Sequence, residues 1–177
     1  MKKNKGFTSF EFYFVMSVIG IIVLVGLQRY FQLAEETQRF SFQIVAQHFN
    51  TSVYNFHTQW IVAQQTTTEQ KVIDFGGKTE IESNRAGWPL RLAKPQQIDT
   101  PEKISVEDCY ELWMALLQNP PSISRSGGDA YGSRAYHLSL TSDNSCRYEF
   151  ITSKPSEYFF DYIPDSGQVI LHTPAKK

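Results

Sequence analysis

With 177 residues and 17 Lys and Arg against 18 Asp and Glu, the chain has room for one anchor helix and one soluble domain, and it lacks the basic excess of a nucleic-acid-binding protein. Its two cysteines, Cys109 and Cys146, have no second Cys or His at ligand spacing, which excludes a zinc site.

The first thirty residues carry the most information. Lys2, Lys3, Lys5 and Gly6 precede a run from Phe7 to Leu27, 21 residues with one charge, Glu11. As helix this run is about 31 Å long, the thickness of a bilayer's hydrocarbon core. Thirteen of its residues are Leu, Ile, Val or Phe, each favouring insertion by roughly 0.3–0.6 kcal/mol. A carboxylate costs on the order of 3 kcal/mol at mid-membrane and less near an end, so the span inserts despite Glu11. An acid inside such a span is a functional candidate with a partner to be found; the plainer alternative is a residue at headgroup depth.

A short basic leader, Gly6, Phe7-Thr8, then Glu11 as the fifth residue after that Gly, then an apolar helix: this resembles the N-terminus of type IV pilins and pseudopilins. The resemblance implies cleavage by a prepilin peptidase between Gly6 and Phe7 and N-methylation of Phe7. It also implies an assembly contact from Glu11 to the terminal amine of a neighbouring subunit. Ser9-Phe10 in place of the usual Leu-Ile, and the aromatic Phe12-Tyr13-Phe14, depart from the common pattern and suggest a minor or divergent subunit. An ordinary secretory signal fits less well, because the apolar core is long and Gln28-Arg29-Tyr30-Phe31 offers no small-x-small cut.

Lysines before the span and no basic cluster after it place the leader in the cytoplasm and the bulk of the chain outside. Loss of the three leader lysines leaves 14 basic residues against 18 acidic, a net of −4. In an oxidising compartment an even cysteine count favours a Cys109–Cys146 bridge, with two buried thiols as the alternative. Closing that loop would stabilise the domain by about 3–4 kcal/mol in the chain-entropy model.

Neither Gly nor Pro occurs between Gly26 and Gly76, so the helix is expected to run on to about Gln64, on the order of 87 Å from Phe7. Phe42, Val45, Ala46, Phe49, Val53, Phe56, Trp60 and Ala63 recur at steps of three and four, an apolar stripe that reads as core. Gln43, Gln47, Asn50, Thr58 and Gln64 form the opposite face. His48 and His57 are nine apart, which is not the spacing of a helical metal pair.

Thr66-Thr67-Thr68 ends the helix. Val72–Phe75, Gly76-Gly77 and 78–83 read as a hairpin, Asn84–Pro89 as a turn with Trp88 covering the sheet edge or core, and 91–103 as loop. A second helix of about 14 residues is expected from Ser105, capped through Asp108 and stopped by Pro120-Pro121, with Val106, Cys109, Tyr110, Trp113, Leu116 and Leu117 on one face. Residues 122–133 read as an exposed loop. Strands follow at 135–140, 146–152, 158–163 and 168–172, the last two joined by the turn Pro164-Asp165-Ser166-Gly167. Tyr148, Phe150, Tyr158, Phe159, Phe160 and Tyr162 are expected to supply an aromatic core. Gly87-Trp88-Pro89, and Tyr162 with the Asp165-Ser166-Gly167 turn and Val169, are also similar to features of pilin-like proteins, and the whole is most similar to MSHA-type minor pilins.

Asp74, Asp129, Asp143 and Asp165 lie near turns, where Asp serves the backbone, and no calcium or other metal is assigned to them. No Gly-x-Ser-x-Gly, P-loop, His-Glu-x-x-His or dinucleotide fingerprint occurs, so no cofactor and no catalysis are expected. The expected fold class is α+β, pilin-like. Residues 1–6 are a leader, 7–27 the membrane-spanning half of a long helix, 28–65 its amphipathic half, and 66–177 a β-rich domain on an antiparallel sheet with a second short helix. The resemblance implies a subunit of a type IV pilus-like filament, with a role in adhesion or surface attachment. Its partners would be other pilin subunits, the prepilin peptidase, an inner-membrane assembly platform, and lipid before assembly. It would sit in the inner membrane with its domain in the periplasm, and on the cell surface once assembled. Two alternatives are a pseudopilin of a type II secretion system and a periplasmic binding or enzyme domain on an uncleaved anchor.

Overall fold

A computed structural model describes residues 9–64, 72–77, 79–94, 103–125, 135–151 and 157–174, with the side chains of 31–36, 38 and 64 outside the description. The chain is α+β: a long N-terminal helix, apolar in its first half, precedes two small sheets and a short helix. It divides into two compact units, Met1–Ser41 and Phe42–Lys177. The long helix, α1, runs Ser9–Gln64, as expected for a stretch without Gly or Pro after Gly26.

In the second unit the stripe on α1 is the spine of the core. Phe42, Ala46, Phe49, Val53 and Phe56 are fully buried, while Val45, Trp60 and Ala63 pack at its margins. Phe49 is its centre, with ring centroids 5.2 Å from Tyr148, 5.5 Å from Phe160, 5.6 Å from Tyr162 and 6.3 Å from Trp113. Phe42 meets Tyr158 and Phe160 at one end of the stripe, and Phe56 meets Phe75 at the other. Burying one such ring is worth about 1.5–3 kcal/mol, so about four helical turns, from Phe42 to Phe56, anchor both sheets.

The smaller sheet is the antiparallel set β1 (Val72–Phe75), β2 (Thr79–Ser83) and β3 (Pro89–Leu92). The β1–β2 hairpin turns through Gly76-Gly77 as expected. β3 is a correction, since its residues were read as the end of a turn and the start of a loop. Pro89 opens the strand, a place where its missing N–H does no harm. Arg91 lies opposite Glu82, 3.6 Å from its carboxylate, so a charged residue that looked like loop is buried in a ladder.

Helix α2 (Val106–Leu116) carries the expected cap. Ser105 Oγ accepts from the Asp108 amide at 3.2 Å, and Asp108 Oδ2 accepts from the Ser105 amide at 2.8 Å; such a cap is worth about 1 kcal/mol. The helix has 11 residues, shorter than the expected 14. Leu117 is already extended and turned into the core. The chain must reach Pro120-Pro121 in a conformation that residues before proline favour, and the Trp113 indole N–H fixes it by donating to the Pro121 carbonyl at 3.0 Å.

The larger sheet has the order β4 (Ile123–Arg125), β5 (Tyr136–Leu140), β6 (Cys146–Phe150), β7 (Phe159–Ile163), β8 (Gln168–His172). Three of its pairings are antiparallel, as expected, but β4 runs parallel to β5, which corrects the loop expected from residue 122 at Ile123–Arg125; the rest of that stretch, 126–133, lies outside the described residues. Three residues are too few to show a period of two; Ile123 is buried, and the Ser124 hydroxyl donates to the Tyr136 carbonyl. Phe159 is a further correction. Its neighbour Phe160 faces the core, so alternation sends Phe159 to the outer face, where Arg147 lies over its ring and His172 stacks on it at 4.3 Å.

Two buried phenols tie the parts together. Tyr148 donates to the Cys109 carbonyl on α2 at 2.8 Å, and Tyr162 to the Pro89 carbonyl on β3 at 2.6 Å. Burial pushes both phenols well above their ordinary range. Tyr136 is raised by the same cause, and its hydroxyl has no hydrogen-bond partner among the described residues.

Candidate functional site

Within the first unit, residues 9–30 of α1 are exposed throughout, a 22-residue apolar surface long enough to cross a membrane. Glu11, in the first turn, is its one acid, and no other charge occurs before Arg29. Steps of three and four put Val15, Val18, Ile22 and Val25 on the same face as Glu11. The Ser17 hydroxyl donates to the Phe14 carbonyl at 2.8 Å, so that polar group is satisfied without water. Phe12 and Tyr13 meet edge to face with centroids 5.9 Å apart. At Gly20 and Gly26 a Cβ would meet nothing within 4 Å, so packing within the chain does not require glycine at either position.

Gly6 and Phe7, the expected cleavage and methylation positions, lie outside the described residues, as do Thr66–Thr68 and Asp129. Cys109 and Cys146 are bridged, with Cα atoms 5.7 Å apart and both side chains buried. The bond joins the inner face of α2 to the first residue of β6, and both sit in the wall of the aromatic core. Among the described residues no group of three or more His, Cys, Asp or Glu is placed to hold a metal ion. Ser124 Oγ is 3.1 Å from His137 Nδ1, but the serine is fully buried, so the pair ties β4 to β5 and offers no nucleophile to a substrate.

Protein-family models, curated proteins and solved structures give no match to this chain.

A column of aromatic rings went unread in the sequence. His57 lies 3.8 Å from Trp88 and 5.8 Å from Trp60, nearly parallel to both, with its Nδ1 3.0 Å from the Gly87 carbonyl oxygen. Trp60 covers Gly87 and Trp88 covers Gly167; a Cβ on either glycine would stand 2.3 Å or 2.1 Å from ring carbon, and both have positive φ. Asn84 completes the arrangement, donating to the Pro164 carbonyl and accepting from the amides of Ala86 and Trp88. The signal was present in two Gly-aromatic pairings far apart in sequence, but only the fold brings them together.

Proposed function

We propose that this protein is a minor structural subunit of a type IV pilus-like filament, acting by assembly and not by catalysis. The observation that carries the reading is the exposed apolar helix over residues 9–30 with Glu11 as its single acid, five residues after Gly6 in a basic leader. In this reading the chain waits in the inner membrane with its domain in the periplasm. A prepilin peptidase then cuts between Gly6 and Phe7, Phe7 is N-methylated, and the assembly platform draws the helix into a bundle of like helices. A carboxylate in such a low-dielectric bundle is costly alone and favourable beside a cationic amine from the next subunit, which also fixes axial register. The disulfide fits an oxidising compartment outside the cytoplasm.

The mature N-terminus tests this. Mass spectrometry of the chain from its native cell is expected to find N-methylated Phe7, and Gly6→Val to abolish the cut. A chain that retains Met1–Gly6 overturns the proposal. Glu11→Gln, which keeps size and loses charge, is expected to leave membrane insertion intact and to deplete the subunit from sheared filaments. Normal incorporation would assign Glu11 to the interface alone.

A further inference from the structure

The larger sheet ends on one side in a strand with none of the usual protection. β8 pairs with β7 in regular register over Gln168–His172, without a bulge, and no strand flanks its other edge among the described residues. It has no Lys, Asp, Glu or Pro, and Ile170 and Leu171 are 40% and 41% exposed. Uncharged apolar edges of this kind, in regular register, pair with another strand unless a charge, proline or bulge prevents it. The other edges differ. β4 has three residues, and its Arg125 is paired with Glu107 and lies over the Tyr110 ring, while β1 exposes Asp74.

We propose that β8 pairs antiparallel with β8 of a second copy of this chain, about a two-fold axis at Ile170, so that one sheet runs through both copies. The strand is self-complementary in that register. Ile170 meets its own counterpart on the outer face, Val169 meets Leu171 on the core face, and Gln168 meets His172. Leu171, beside Phe160 in the ladder, then gains an apolar neighbour where it now faces water. No like charges meet. The nearest charges on the outer face, Asp161 one strand in and Arg147 two strands in, are matched to each other by two hydrogen bonds of 2.8 Å, and His172 Nε2 lies 3.7 Å from Asp161. An acidic or basic peptide would find no counter-charge on this edge, which favours a second copy over a charged partner. The inference does not depend on the filament reading.

Register-specific cross-linking of the full-length chain in phosphatidylcholine vesicles tests it. The native cysteines are already bridged, so a new one reports alone. Under mild oxidation Ile170→Cys is expected to give a disulfide-linked dimer joined 170 to 170, because directly opposed residues stand about 4.5–5.5 Å apart between Cα atoms. Gln168→Cys alone is expected to give at least tenfold less, its two copies being about 14 Å apart in this register. Mixing Gln168→Cys with His172→Cys chains restores the product, and adding Ile170→Lys to both removes it. Absence of the Ile170→Cys dimer, equal cross-linking of Gln168→Cys alone, or a bond to a different protein overturns the proposal.

Discussion

Residues 9–30 and 42–63 belong to one α-helix and draw on the same apolar residues, yet they meet opposite surroundings. In the first stretch every residue is exposed; in the second, five side chains are wholly buried under an aromatic sheet. Spacing makes the difference. From Phe12 to Leu27 apolar residues occur on every side of the helix, so no single packed face can cover them. From Phe42 on the larger part keeps to steps of three and four, with Gln, Thr and Asn among the residues on the other side, although Ile44, Tyr54, Ile61 and Val62 stand off the stripe and are exposed. A stripe can be satisfied by its own chain, whereas a fully apolar cylinder needs an apolar surrounding from elsewhere.

That contrast can be broken most severely at its centre. Phe49→Ala removes the ring that touches Trp113, Tyr148, Phe160 and Tyr162, and is expected to cost about 3–5 kcal/mol, lowering or abolishing the cooperative thermal transition in near-UV circular dichroism. Next in size is the disulfide. The double change Cys109→Ser and Cys146→Ser should cost about 3–4 kcal/mol, read as a fall in the denaturant midpoint, with the 37-residue separation setting the scale. Alkali gives a graded effect on the buried half alone. Tyr136, Tyr148 and Tyr162 have folded-state values raised above the unfolded 10.0, so above that pH the unfolded chain loses protons that the native one keeps. Stability is therefore whole below about pH 10 and falls as pH rises, by about 1.4 kcal/mol per unit for each phenol; a pH series of denaturant midpoints checks the sign. The smallest effect is expected in the exposed half. Ile22→Ala should leave the melting temperature of the domain unchanged within error, because it removes no contact from the core, and a loss comparable to Phe49→Ala would erase the distinction between the two stretches.

What the sequence made legible follows the same physics. The long helix, its core stripe, the Gly76-Gly77 hairpin, the Ser105–Asp108 cap and the strands after Tyr136 are each specified by local pattern and chemistry, and the structure has them. β3 and β4 are short, one opening on proline and the other set among serines, and both are strands only because a partner strand is present. Phe159 was misread because two adjacent phenylalanines look equally suited to a core, while a strand can turn only one of them inward. The bulk of the Glu11 surface was legible as apolar helix, but its use depends on molecules other than this chain, about which a fold is silent. The column of Trp60, His57 and Trp88 is the opposite case, complete within the chain and invisible to any short sequence window.

The Cys109–Cys146 bond closes a covalent ring through the middle of the domain. Every peptide bond from 109 to 146 lies inside it, including those of β4 and β5. A protease that cuts once within the ring therefore separates nothing: both pieces stay attached, each still held in the core by its own half of α2 or the sheet. A cut on either side of the ring leaves two pieces with no covalent bond between them. Nicked protein should run as a single band on a denaturing gel until reductant is added, and then fall apart into two, so the position of damage decides whether the domain stays covalently whole.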